Sequence, residues 1–285
     1  MIFTLYGVFI RHFGGEIGLN SLTHLLGEFD FREPAVRAAV TRLSAQGWLE
    51  TRRIGRNSYC SLTTKGWQRV DEAASRVYRN RRENWDGKWC ILTYTIPEEK
   101  REARDQLRTD LVWWGFGQLA TSTWISPHKY SRHMVDLVNR YNLSDYVDIF
   151  YACYEGAKTN LQLAQKSWNL NEVQQKYNEF VAVFLPAFQA DKLNPPSDRE
   201  AFVKRCRLVH EYRKFLFIDP ALPNELLPQD WGGTRAFNLI QQYDRLLAPG
   251  AGRYFVKLFA AAPDSTPQDI EQGLEAQLNP FGLGD

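Results

Sequence analysis

Between Pro34 and Gly47 the apolar residues Val36, Ala39, Val40 and Leu43 recur at i, i+3, i+4 and i+7. Directly after Gly47 the pattern changes to that of a hairpin, Trp48 to Ile54 and Ser58 to Leu62, about the turn Gly55-Arg56-Asn57. The first spacing predicts a helix with one core-facing stripe, entered by proline at its first position and stopped by glycine. The second predicts a two-stranded ribbon in which Leu49 and Thr51 face inward with Cys60 and Leu62.

The residues around this pair extend the pattern. Residues 2 to 13 are apolar on most faces and predict a buried helix, Glu16 to Leu19 a short extended piece, and "SLTHLLGEF" a helix with its leucines on one side. After the hairpin, Trp67, Val70, Ala74 and Val77 stand at helical spacing. Helix, helix, helix, hairpin, helix is the order of a winged helix-turn-helix, in which one helix enters the major groove and the hairpin lies along phosphates or reaches the adjoining minor groove.

The charge agrees with that order. The chain carries a formal net charge of +2, but residues 1 to 84 hold 13 Lys/Arg against 8 Asp/Glu, and the remainder is mildly acidic. A basic end on an acidic body points to a polyanionic partner, here double-stranded DNA. On the helix face opposite the stripe stand Arg37, Ala38, Thr41, Arg42 and Ala45, with Arg32 at its start. Arginine reads guanine bidentately, and a threonine or alanine methyl contacts thymine, so Arg37, Ala38 and Thr41 are the expected base readers. Arg52, Arg53 and Arg56 suit phosphate neutralisation, and Asn57, Ser58 and Tyr59 add neutral hydrogen bonds to the same backbone.

Other chemistries find little support. Cys60, Cys90, Cys153 and Cys206 are scattered without a CxxC pair, which leaves buried, reduced thiols as the expectation. The five histidines are dispersed, and there is no glycine-rich phosphate loop, GxSxG elbow or HExxH. No apolar run is long enough to span a bilayer and the start lacks the features of a signal peptide, so a cytoplasmic protein without a membrane partner is expected.

The middle of the chain reads as strand ("KWCILTYTI"), helix (98 to 114), two short strands ("GFGQLATSTWISP"), helix (128 to 142) and strand ("YVDIFYACYEG"). This βαββαβ order predicts a ferredoxin-like module. Similar small domains occur in nucleases of CRISPR adaptation, so a metal-dependent nuclease is the alternative function. Those enzymes place an aspartate near the end of the first strand, where this chain has Thr95, and a hydroxyl cannot supply the charge a hard divalent cation requires. Asp105 and Asp110 fall on the next helix and read as a solvated face. Beyond residue 158 the pattern is helical, with a helix over 198 to 218 followed by the rigid, proline-rich "IDPALPNELLPQDWGG".

The run "TLYGVFIRHFGGEIGLNSLTHLLGEF…PAVRAAVTRLSAQGWLETRRIGRNSYCSLTTKG", with "WDGKW", "GFGQLATSTWISP" and "YRKFLFIDPALPNELLPQDWGG", resembles the PaaX family, repressors of phenylacetate-degradation operons. The resemblance covers nearly the whole chain. It implies a non-enzymatic homodimer without a cofactor, which binds a partly palindromic operator and lets go when an aryl-acetyl-coenzyme A thioester such as phenylacetyl-coenzyme A binds its body. The corresponding expectation is an α+β chain in three parts: a winged-helix DNA-binding domain (1–84), a ferredoxin-like dimerisation domain (85–157) and a helical ligand-sensing domain (158–285). An acyl-coenzyme A needs an apolar slot and several cations, so Arg207, Tyr212, Arg213, Lys214 and Trp231 are the expected effector residues.

Overall fold

The computed structural model describes residues 1–77, 85–259 and 267–278. The expected break at 80 to 89 falls partly outside these residues, as does the side chain of Val77. The chain forms two compact units, one of Met1–Tyr78, Glu179–Arg213 and Thr234–Asp285, the other of Arg79–Asn178 and Lys214–Gly233. Helices and two antiparallel sheets are combined, as the α+β reading expects.

The first unit begins with α1 (Ile2–Val8), a 3-10 turn (Ile10–His12) and β1 (Glu16–Gly18). The expected single helix over 2 to 13 is therefore broken at Phe9, whose backbone leaves the helical region. Next come α2 (Leu19–Gly27), α3 (Glu33–Ala45), β2 (Leu49–Ile54), β3 (Asn57–Leu62) and α4 (Thr64–Val77). Pro34 lies in the first turn of α3, Gly47 follows its end with φ 72°, and Val36 and Val40 are buried while Arg37, Ala38, Thr41, Arg42 and Ala45 are exposed. The sheet order is β1-β3-β2, with Leu49 opposite Leu62 and Thr51 opposite Cys60. Leu49, Cys60 and Leu62 are buried as expected, but Thr51 is exposed. It belongs to an edge strand whose burial ends at Leu49.

The rest of this unit is helical: the later part of α8 (Leu170–Leu193), α9 (Asp198–Tyr212), most of α10 (Gly232–Leu258) and α11 (Pro267–Ala276). Ser197 and Glu200 start α9 with a reciprocal capping box, which satisfies donors that the first helical turn leaves open. The helix was expected to reach residue 218; it stops at Tyr212 and tightens into a 3-10 turn over Arg213–Phe217. Pro220 lies just beyond, and the residue before a proline is driven out of the helical region. Phe9 stacks on Phe255 of α10 with ring centroids 4.8 Å apart and lies 5.4 Å from Phe202 of α9. Such pairs add about 0.5–1.5 kcal/mol beyond area burial. Beside them the solvent-free Arg205 donates from Nε to Asp244 Oδ1 (2.9 Å) and from Nη2 to Oδ2 (3.1 Å).

The second unit contains β4 (Lys88–Tyr94), α5 (Arg101–Trp113), β5 (Gly117–Ala120), β6 (Thr123–Ser126), α6 (Ser131–Arg140) and β7 (Val147–Cys153). This is the βαββαβ order, with antiparallel neighbours in the sequence β5-β6-β4-β7. Cys90, Leu92 and Tyr94 alternate along β4 onto the core face, where Leu107 and Leu111 of α5 and Met134, Leu137 and Val138 of α6 join them. Cys60, Cys90 and Cys206 are buried, whereas Cys153, the last residue of edge strand β7, is exposed. α7 (Asn160–Ser167), the start of α8 and the proline-rich loop complete the unit. Among the described residues no helix is long and apolar enough to cross a membrane.

Removing one member of the buried pair leaves an uncompensated charge. Arg205→Met should lower unfolding stability by about 3–5 kcal/mol, and the double change Arg205→Met/Asp244→Leu should recover most of it. Urea denaturation followed by circular dichroism measures both.

Candidate nucleic-acid interface

Four expected contact residues, Arg37, Ala38, Thr41 and Arg42, share one solvent-facing surface of α3, Arg32 precedes that helix, and the other six lie on the hairpin. On α3, Arg37 Nε donates to Glu33 Oε1 at 2.8 Å, one turn earlier. Their side chains are 50% and 58% exposed, so the pair is worth about 0.3–0.5 kcal/mol and yields readily to a better acceptor. The Thr41 hydroxyl donates back to the Arg37 carbonyl at 3.0 Å, which leaves its methyl and a lone pair for any outward contact. Ala38 and Arg42 are exposed on the same helix, and Arg32 is its N-cap residue.

The hairpin closes in two residues, Gly55 and Arg56, between the paired Ile54 and Asn57, and Gly55 takes φ 59° as this turn demands. Arg53, Arg56 and Asn57 are exposed and Ser58 is half-buried. Arg53 Nε reaches the Gly55 carbonyl at 3.2 Å, a local bond that leaves its charge uncompensated.

Two residues have other duties. Arg52 forms a two-pronged pair with Glu16, Nε to Oε1 and Nη2 to Oε2 both at 2.6 Å, and Glu16 is only 13% exposed. This guanidinium ties β2 to β1 across β3, and its charge is already matched. Tyr59, grouped by sequence with the polar tip, is 6% exposed: it is buried on the face of β3 opposite to that of Cys60 and Leu62, so both faces of the strand are covered at this point. Sequence reasoning missed Glu16, whose part depends on strand pairing that no local pattern reports.

The expected effector residues divide between the units. Arg207, Tyr212 and Arg213 lie in the first; Lys214 and Trp231 lie in the second. Arg207 and Lys214 are exposed, and burial pulls the Arg213 guanidinium below the usual arginine value. Tyr212 is buried, its ring 5.5 Å from Phe180. Trp231 is also buried, edge-on to Tyr177, which stacks on Phe215 at 3.8 Å and donates its hydroxyl to Asp219. Asp219 also accepts from the Ala221 N–H at 2.7 Å, so the proline-rich loop is fixed from within its own unit.

The positions that a nuclease would use are occupied by structure. Thr95 follows β4 and its N–H donates to the Tyr146 carbonyl at 2.9 Å. Asp105 lies near Arg101 and Arg104, at 3.8 and 3.9 Å, and Asp110 accepts from the Tyr141 hydroxyl at 2.6 Å. Among the described residues no three His, Cys, Asp or Glu are grouped to hold a metal.

Comparison with known proteins bears on the whole chain. Residues 1–66 match the family model "PaaX-like protein", 82–164 the "PaaX protein central Cas2-like domain" and 168–257 the "PaaX-like protein C-terminal domain". The chain belongs to the PaaX family. It is 36% identical over 259 residues to the transcriptional repressor PaaX of Escherichia coli (strain K12), covering 88% of this chain and 80% of that protein. The PaaX-family chain also shares its fold with the uncharacterised protein Rv0674 from Mycobacterium tuberculosis, at TM-score 0.52 and 23% identity, over 82% of this chain and 89% of that one. The PaaX relationship places the chain among regulators rather than enzymes.

Burial and the Asp110 carboxylate push Tyr141 up to about 12. Asp110→Asn should bring it down toward the ordinary tyrosine value of about 10, because the neighbouring negative charge that opposes the phenolate is gone. Ring-carbon NMR titration measures the shift; an unmoved Tyr141 would show that Asp110 is not committed to it.

Proposed function

We propose that this PaaX-family protein is a transcriptional repressor of an aromatic, phenylacetate-type catabolic operon. It binds a palindromic operator as a homodimer and is released by an aryl-acetyl-coenzyme A. The observation that carries the reading is the coincidence of a solvent-facing Arg37-Ala38-Thr41-Arg42 surface on α3 with two exposed arginines, Arg53 and Arg56, at the hairpin turn. The two small side chains, Ala38 and Thr41, let a helix approach base edges closely, and Arg37 can exchange Glu33 for guanine. Arg53 and Arg56 follow the phosphates, which fix register without reading sequence.

Release requires no chemistry by the protein. An effector that binds the non-operator arrangement more tightly shifts the population toward it. A hundredfold loss of DNA affinity needs a difference of about 2.7 kcal/mol between the two arrangements. Arg207 in the first unit and Lys214 in the second are exposed cations of the kind that the phosphates of coenzyme A require, and each unit offers aromatic side chains of its own, Tyr212 in the first and Trp231 in the second.

Arg37→Ala should relax base preference at one position by about 1–3 kcal/mol, whereas Arg56→Ala should weaken all duplexes alike and reduce the salt slope by about one. Glu16→Gln should act in the opposite sense: it removes the carboxylate that neutralises Arg52 and makes the slope steeper by up to about one phosphate contact. Fluorescence anisotropy over a salt series separates these outcomes, and a salt-independent affinity would end the DNA reading.

Thermal-shift measurements with phenylacetyl-coenzyme A, related thioesters and the free acids test the effector. A thioester at about 100 times its Kd should add about 2.7 kcal/mol to native stability. No shift with any thioester would remove the induction scheme and leave the DNA reading in place.

A further inference from the structure

We infer that α11 is a clasp that positions the DNA-contacting part of the first unit, and that Gln277 is the side chain through which it acts; this rests on the DNA reading above. The family model for the C-terminal domain ends at residue 257, so the segment lies beyond it. Its packing is nonetheless specific. A Cβ on Gly252 of α10 would strike the amide of Gln277 and approach Leu274. A Cβ on Gly273 of α11 would meet the His12 carbonyl at 2.6 Å and the Phe13 ring at 2.7 Å. Glycine thus stands at both seams, where α11 touches α10 on one side and the turn after α1 on the other.

Gln277 is 1% exposed and every polar group of its side chain is engaged. Its Oε1 accepts from Arg205 Nη1, its main-chain carbonyl accepts from Arg205 Nη2 at 2.8 Å, and its Nε2 donates to the Ala248 carbonyl at 3.2 Å. Asp244 takes the other edge of the same guanidinium. With both partners present the planar group lies over the Phe9 ring, 5.2 Å from its centroid. Phe9 in turn joins α1 to the 3-10 turn that leads into β1, and β1 holds the hairpin through Glu16 and Arg52.

The consequence is a continuous line of fixed contacts from Gln277 through Arg205 and Phe9 to the base of the winged helix. Without the clasp, two N–H groups on one edge of a buried cation lose acceptors, and the group must turn away from Phe9 to find others. The position of α3 and the hairpin would then be set less sharply, and a reader of base edges loses affinity when its placement loosens.

Three full-length variants test this: Gly273→Leu, which fills the seam against His12; Gln277→Met, which keeps volume but removes the acceptor; and Gln277→Glu, which keeps an acceptor for Arg205. Affinity is read on the duplex that the wild-type chain selects from a randomised library, and amide exchange is followed in both units. Gly273→Leu and Gln277→Met should weaken that affinity by about tenfold or more and speed exchange over 2–12, with β4 to β7 unchanged, while Gln277→Glu should stay within about threefold of wild type. Wild-type affinity in the first two variants, loss of protection in both units together, or a Gln277→Glu variant as weak as Gln277→Met would each overturn the clasp. A wild-type chain that selects no duplex would instead overturn the DNA reading, and the exchange measurement would still decide whether α11 holds the turn.

Discussion

A guanidinium withdrawn from water has five N–H groups to satisfy and one charge to balance, and failure on either count costs several kcal/mol. Arg205 balances the charge with Asp244 and makes four hydrogen bonds to partners 39 and 72 residues away, Asp244 and Gln277. That requirement fixes α9 against α10 and brings α11 to the same place. Because the face of the cation covers Phe9, it also fixes where the first helix of the chain must lie. The winged helix is therefore not a free-standing module. It shares one compact unit with α9, most of α10 and α11, so a ligand that acts on those helices acts on the body that carries α3.

Charge on this body is less plentiful than its composition suggests. The basic excess of the first 84 residues counts Arg52 and Arg37 equally, yet their surroundings differ. Arg52 faces a largely buried carboxylate in two-pronged geometry and holds three strands together, so withdrawing it would expose Glu16 to an uncompensated site. Arg37 and Glu33 are both half-exposed, and water competes for each. The first pair is architecture, and the second is a resting contact that a stronger acceptor can replace.

Much of this was legible in the sequence because short-range periodicity reports burial directly. The stripe of Val36 and Val40, the stop at Gly47, the turn at Gly55 and the strand that opens at Lys88 all lie where the local pattern puts them. Periodicity failed where burial is decided by what lies opposite. Thr51 has the correct parity to face inward but is exposed on an edge strand, and Tyr59 has polar neighbours in sequence but is buried in space. The network of Arg205, Asp244 and Gln277 was out of reach for a related reason. Two polar residues on two helices and a third just past the end of another carry no common period, and each taken singly reads as a solvated position.

The central module shows how far a fold can be shared without its chemistry. The βαββαβ arrangement is present in full, and the matching family model is itself described as Cas2-like. A metal site on such a scaffold needs carboxylates converging at a strand end. Here that end carries Thr95, with its backbone tied to Tyr146, while Asp105 and Asp110 on α5 face arginines and Tyr141. Function follows the groups placed on a scaffold rather than the scaffold itself. What remains on this one is an antiparallel sheet backed by two helices, with the long strand β7 at one edge. Such a unit can carry and space attached elements without touching the bonds of its ligand.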